Sequence, residues 1–142
     1  MQKVEEAIFY TLEQTIKVYR QYAQKQIKEA DIDITIDQWL LLNTIQENKD
    51  FSQHEIAEKI FKDIASVTRI IELLVKKGYI ERKFHQTDRR RFELLITNKG
   101  QETIEKVKPI VLKYRKQALQ GIKVSDIEVI KNKLLIIFNN CK

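Results

Sequence analysis

A Ser or Thr followed three places later by Glu or Gln recurs in this chain at Thr35 with Gln38, Ser52 with Glu55, and Ser125 with Glu128. A hydroxyl at a helix N-cap accepts from the N–H three residues on, while the acid or amide there reaches back to the N–H of the cap. Two of the donors that a helix start leaves open are satisfied together. In each case the residue before the cap and the one five places after it are apolar: Ile34 and Trp39, Phe51 and Ile56, Val124 and Val129. Such a staple fixes the angle at which the chain enters the helix. The repeated device dictates a mainly helical fold, with helices predicted from about residues 36, 53 and 126.

Three glycines and one proline leave too little punctuation for an all-β fold or a flexible linker. Ile8, Leu12, Ile16, Tyr19, Ala23 and Ile27 return at spacings of three and four, which predicts a long helix over 4–29. The second and third helices are expected over 36–47 and 53–60. A fourth over 64–77 is stopped by Gly78, after Lys76 and Lys77 have placed positive charge at its C-terminal end. The period then changes to two: "YIERKF" and "FELLI" read as antiparallel strands joined by "HQTDRRR", and Thr97 with Gly100 marks the return to helix. Helices over 99–119 and 126–139 follow, with a kink or break expected at Pro109.

A chain of 142 residues suits one domain with a real core. Its single cysteine, Cys141, excludes an intramolecular disulfide and fits a reducing cytoplasm. The opening "MQKVEEAIFYTLEQ" sets acids within the apolar periodicity, so it is no signal peptide. No window approaches the ~18 consecutive apolar residues of a membrane span. A soluble, cytoplasmic protein without a membrane role is expected.

The stretch "HQTDRRRFELLITNKG", residues 85–100, carries the strongest functional signal. Adjacent Arg89, Arg90 and Arg91 repel one another, so the run is either a solvated loop tip or a surface for an anion. With 26 Lys and Arg against 20 Asp and Glu, the formal charge of +6 permits a polyanionic partner. A short capped helix, a turn, a second helix and then a hairpin is the layout of a winged helix-turn-helix. On the fourth helix Ile64, Val67, Ile71 and Leu74 are expected to face the core. Lys62, Ala65, Arg69, Glu72 and Lys76 face outward, flanked by Ser66 and Thr68. Small and polar groups at its start suit the major groove of duplex DNA. The plain alternative is a solvent-facing helix in which Glu72 pairs with Arg69 or Lys76. At the hairpin tip, Asp88 two residues before Arg90 is placed to hold that guanidinium extended toward a narrow minor groove; the alternative there is a solvated turn with mutual ion pairing.

"SVTRIIELLVKKGYIER" (66–82) followed by "DRRRFELLITNKG" (88–100) resembles the MarR family of bacterial winged helix-turn-helix transcription regulators, with Asp-x-Arg at Asp88 and Arg90 and Thr-x-x-Gly at Thr97 and Gly100. Ile96 departs from the Leu commoner in that family before Thr97. The resemblance implies a single domain, mainly α with a small β-hairpin wing. It places a DNA-binding lobe over 35–100 and a helical dimerisation region over 1–30 and 101–142. It further implies a homodimer acting on a near-palindromic double-stranded operator as a transcription regulator, a repressor by expectation. The expected DNA-contacting residues are Ser52, Gln53, Lys62, Ala65, Ser66, Thr68, Arg69 and Lys76, together with Asp88, Arg89, Arg90 and Arg91 at the wing. A small aromatic or anionic effector is expected between the lobe and the dimer helices, near Tyr19, Tyr22 or Trp39, unless these aromatics only fill the core.

The closing helices bear on the dimer independently. Ile104, Val107, Val111, Tyr114 and Ala118, then Ile127, Ile130, Leu134, Ile137 and Phe138, give more apolar surface than a small lobe needs. Either an intersubunit bundle or an intrachain helical hairpin would bury it. His54, expected on the exposed side of the third helix, and His85, near the wing, lack metal-ligand spacing with other donors, so no metal and no cofactor are expected. Cys141, at a frayed end with only Lys142 as a basic neighbour, is not expected to sense oxidants. No nucleophile and base pair or glycine-rich phosphate loop stands out, so the chain is not read as an enzyme. The rival class is a winged-helix protein-interaction module without specific DNA binding.

Overall fold

A computed structural model describes residues 3–48, 50–84, 87 and 92–142. The element order is α1 (Val4–Glu29), α2 (Ile36–Glu47), α3 (Gln53–Ile60), α4 (Ile64–Lys76), β1 (Ile80–Phe84), β2 (Phe92–Ile96), α5 (Asn98–Ala118) and α6 (Val124–Cys141). The strands form one antiparallel ladder running from Ile80 opposite Ile96 to Phe84 opposite Phe92.

Two of the three expected capping boxes form. Gln38 N–H donates to Thr35 Oγ1 at 3.1 Å and Thr35 N–H to Gln38 Oε1 at 3.1 Å. Glu55 N–H donates to Ser52 Oγ and Ser52 N–H to Glu55 Oε1, both at 3.2 Å. The third does not form. Lys123 is extended and its carbonyl already accepts from Ile127 N–H at 3.0 Å, so α6 starts at Val124 and Ser125 lies inside its first turn. Val124 and Val129 remain 74% and 54% exposed, so no staple closes there.

The stop at Gly78 is a Schellman motif. Gly78, at φ +81°, follows Lys77, and its N–H bonds Val75 O at 3.0 Å, while Tyr79 N–H reaches Leu74 O at 2.9 Å. The same geometry closes α3, where Lys62 N–H bonds Ala57 O at 3.0 Å, but the left-handed residue there is Phe61, at φ +59°. The helix start that sequence analysis left uncapped, α4, is capped by Asp63. The expected break at Pro109 is absent: α5 runs through it, with Ile104, Val107, Val111 and Tyr114 buried to either side. Packing on that face offsets the one helical hydrogen bond that proline cannot donate.

α2 is the central element, burying Ile36, Trp39, Leu41, Leu42 and Ile45 against α1, α3, α4, α5 and β2. Its start is gripped from α1 by Gln24, which accepts from Ile36 N–H at 3.0 Å. One hydrophobic core joins these residues to Ala23 and Ile27 of α1, to Val67, Ile71 and Leu74 of α4, and to the buried face of α5. The C-terminal half of α1 and most of α5 therefore share a core with the helix-turn-helix. α6 behaves differently. It buries no residue and packs extensively against no other element among the described residues, so no intrachain hairpin with α5 buries its apolar face.

Candidate nucleic-acid interface

The start of α4 is organised by Asp63. Its carboxylate accepts from Ser66 N–H at 3.3 Å and from the Ser66 hydroxyl, which in turn accepts from Arg69 Nη2 at 3.4 Å. These bonds to Ser66 hold the Asp63 carboxyl below the usual carboxylate range. One turn on, the Thr68 hydroxyl donates to Ile64 O at 3.0 Å and faces Gln53 Oε1 of α3 at 3.5 Å. Asp63 went unread in the sequence, although Asp directly before an amphipathic run is itself a cap signal.

Ala65, Arg69, Glu72 and Lys76 form the exposed stripe of α4, as their spacing requires, with Ser66 and Thr68 half-buried beside it. Val67, Ile71 and Leu74 are buried, but Ile64 is 38% exposed, which corrects its assignment to the core. It is the first residue of the helix, and the elements that cover Val67 one turn later do not cover it fully. Lys62 is also placed differently from expectation. Its Nζ lies 3.2 Å from Asp37 Oδ2, and Arg20 binds the other oxygen of the same carboxylate, so Lys62 turns toward α1 and α2 rather than into the stripe. No sequence signal joins residues so far apart in the chain. Ser52 and Gln53 are half-buried at the start of α3, the first committed to its capping box.

α4 leads through Gly78 straight into β1 and packs against it, so helix and hairpin are held as one unit. The connecting segment, with His85, Asp88, Arg89, Arg90 and Arg91, lies outside the described residues. His54 is exposed on α3. Cys141 is exposed as the last residue of α6 rather than in a frayed tail. Among the described residues no cluster of His, Cys, Asp and Glu could hold a metal ion, and no helix is long and apolar enough to cross a membrane.

Away from this surface, a concavity of about 870 Å³ opens between α1, the end of α5 and α6. Tyr19, Tyr22, Ile16, Leu119 and Leu134 make it apolar, and Arg115 supplies a cation. Tyr114 supports the two α1 tyrosines edge to face, with ring centroids 6.0 and 6.3 Å away, and its burial raises its hydroxyl pKa. Trp39 does not reach this groove. It is 4% exposed in the core, so of the three aromatics only Tyr19 and Tyr22 line the concavity. Arg115 was not singled out in the sequence, where it is one of many cations.

A short capped helix, a tight turn, a second helix with an exposed polar stripe and a hairpin packed against it define a winged helix-turn-helix protein. Residues 32–91, which contain the winged helix-turn-helix, match the model of the MarR family. The chain is 22% identical over 132 residues to the HTH-type transcriptional repressor IacR of Pseudomonas putida, covering 93% of this chain and 78% of that protein. Its fold matches that of BpsR from Bordetella bronchiseptica, a protein whose DNA binding is regulated by 6-hydroxynicotinic acid. That match has a TM-score of 0.85, 18% identity and 96% coverage of both chains. It also matches the organohalide-sensing regulator RdhR in its 2,4-dichlorophenol-bound form, with a TM-score of 0.86, 15% identity, and 99% and 82% coverage.

Proposed function

We propose that this protein is a homodimeric, cytoplasmic repressor that binds a near-palindromic DNA operator, with α4 in the major groove and residues 85–91 in the adjoining minor groove. The observation that carries the reading is the stripe Ala65, Arg69, Glu72 and Lys76, left exposed with its two cations on a helix that packs against the hairpin. Arg69 is the principal contact from the helix. Arg90, oriented by Asp88, is the contact from the wing, with Arg89 and Arg91 adding phosphate attraction. Lys62 contributes through Asp37 to the placing of α4, not to DNA directly.

The dimer reading rests on what the single chain leaves bare. α6 exposes Val129, Ile130, Leu135, Ile136 and Phe138 by about half each, and α1 exposes Ile8, Phe9, Tyr10 and Ile16 to a similar degree. Apolar surface of this extent calls for a partner, and a two-fold copy of the same helices supplies one. Such a dimer sets its two reading helices roughly 34–36 Å apart, one turn of duplex.

The groove at Tyr19, Tyr22 and Arg115 fits a small aromatic molecule bearing an anionic group, by stacking on the rings and pairing with the guanidinium. An occupant there touches both α1 and the α5–α6 end of the molecule, and so changes the spacing of the lobes.

Selection of bound fragments from the source genome, followed by titration of a labelled fragment, tests the reading. Arg69→Ala and Arg90→Ala each weaken binding, and log K falls linearly with log salt by about 0.9 per phosphate neutralised. Wild-type affinity in both variants, or affinity indifferent to salt, refutes it.

A further inference from the structure

The hydroxyls on α4 are already engaged. Ser66 Oγ donates to Asp63 and receives Arg69, and Thr68 Oγ1 donates to the carbonyl of Ile64. Both residues are half-buried, so neither is presented as a free hydrogen-bonding tip. The side chains that stand out from the first turn of α4 are apolar: Ile64, 38% exposed although it is a large hydrophobic residue at a helix start, and Ala65. Ala65 heads the stripe that continues through Arg69, Glu72 and Lys76; the Asp63 carboxylate beside the apolar pair is bonded to Ser66 at the helix start, and Arg69 and Lys76 supply the cations that draw a polyanion to this face.

The major groove offers one apolar group at a base edge, the C5-methyl of thymine. We propose that α4 recognises thymine by contact of this methyl with Ile64 and Ala65, while Ser66 and Thr68 position the helix and do not read bases. This rests on the DNA-binding reading above and adds to it the base class that the first turn selects. The operator should then place thymine under the start of each reading helix, with Arg69 left for a guanine edge or a phosphate.

The test uses the full-length protein and a labelled genomic fragment recovered by selection. The same duplex is also made with deoxyuridine in place of thymine, which keeps every hydrogen-bonding group and removes only the methyls. Wild-type protein should bind the deoxyuridine duplex roughly fourfold more weakly for each methyl contacted. Ile64→Ala, and the double variant with Ala65→Gly, should shrink that ratio. Ser66→Ala and Thr68→Val should retain it, since Asp63 still caps the backbone N–H of residue 66. Equal wild-type affinity for the two duplexes, with salt-sensitive binding intact, overturns the thymine reading and leaves DNA binding standing. A ratio that survives in the Ile64 and Ala65 variants but vanishes in Ser66→Ala or Thr68→Val overturns it as well. Failure to retain any fragment overturns both readings together.

Discussion

The Cβ that Gly100 lacks would lie 2.1 Å from the carbonyl oxygen of Tyr79. That contact explains the Thr-x-x-Gly pattern after the second strand. Thr97 accepts from Gly100 N–H at 3.1 Å, donates its hydroxyl to Gly78 O at 2.6 Å, and bonds Tyr79 O through its own N–H at 3.1 Å. One threonine thus caps α5 and ties it to the chain leaving α4, and only a residue without a side chain lets the first turn of α5 lie so close. Gly100→Ala should destabilise the protein by about 3 kcal/mol, because backbone rather than a flexible side chain must shift. Urea denaturation checks this; a loss under 1 kcal/mol would mean the contact relaxes easily.

Asp37 is the shared partner of Arg20 on α1 and Lys62 at the turn before α4. Removing its charge leaves two cations facing each other. All three side chains are between a quarter and two-fifths exposed, so solvent screens the loss. Asp37→Asn should cost about 0.5–1 kcal/mol at low salt and less as salt is raised. Denaturation at two ionic strengths measures the difference, and a salt-independent cost would contradict an electrostatic origin.

Phe61 adopts a left-handed conformation with its ring 87% exposed. The strain of that conformation for an L-residue, about 1–2 kcal/mol, is therefore not offset by burial. Glycine relieves it, and its greater unfolded-state entropy takes back about half. Phe61→Gly should raise stability by about 0.5–1 kcal/mol, visible as a higher Tm in calorimetry; a lower Tm would mean the ring makes a contact that matters.

The depressed pKa of Asp63 has a definite consequence for acid stability. A carboxyl with a folded pKa below its unfolded value of 3.8 contributes in full above that value, and the contribution is lost as pH falls through the folded pKa. Asp63→Asn retains a cap but loses this titration. Its stability profile between pH 5 and pH 2 should be flatter than that of the wild type; parallel profiles would remove the bond to Ser66 as the cause.

α6 contributes no buried residue to its own chain. Ile130→Glu with Leu134→Glu should therefore leave helical content and the unfolding midpoint of the lobe little changed, while the proposed dimer, seen for the wild type in sedimentation at micromolar concentration, gives way to monomer. A variant that unfolds outright would show that α6 supports its own chain after all.

Much of the architecture is written locally. The caps at Thr35 and Ser52, the stop at Gly78 and the change to a period of two after it each involve residues within a few positions of one another, so a short stretch carries all the information. The stripe Ala65, Arg69, Glu72 and Lys76 is legible for the same reason. Where the reading went wrong, the deciding contact was distant or one choice among equals. Ser125 had the right neighbours but lost to a helix start two residues earlier. Lys62 looks like any surface cation until the fold brings Asp37 of α2 beside it. For Trp39 and the α1 tyrosines the sequence left both a groove and a core open, and only the path of α2 through the centre puts Trp39 in the core while Tyr19 and Tyr22 line the groove. Local hydrogen bonds select the elements; which charges and rings meet depends on how the chain closes over distances that no nearby pattern encodes.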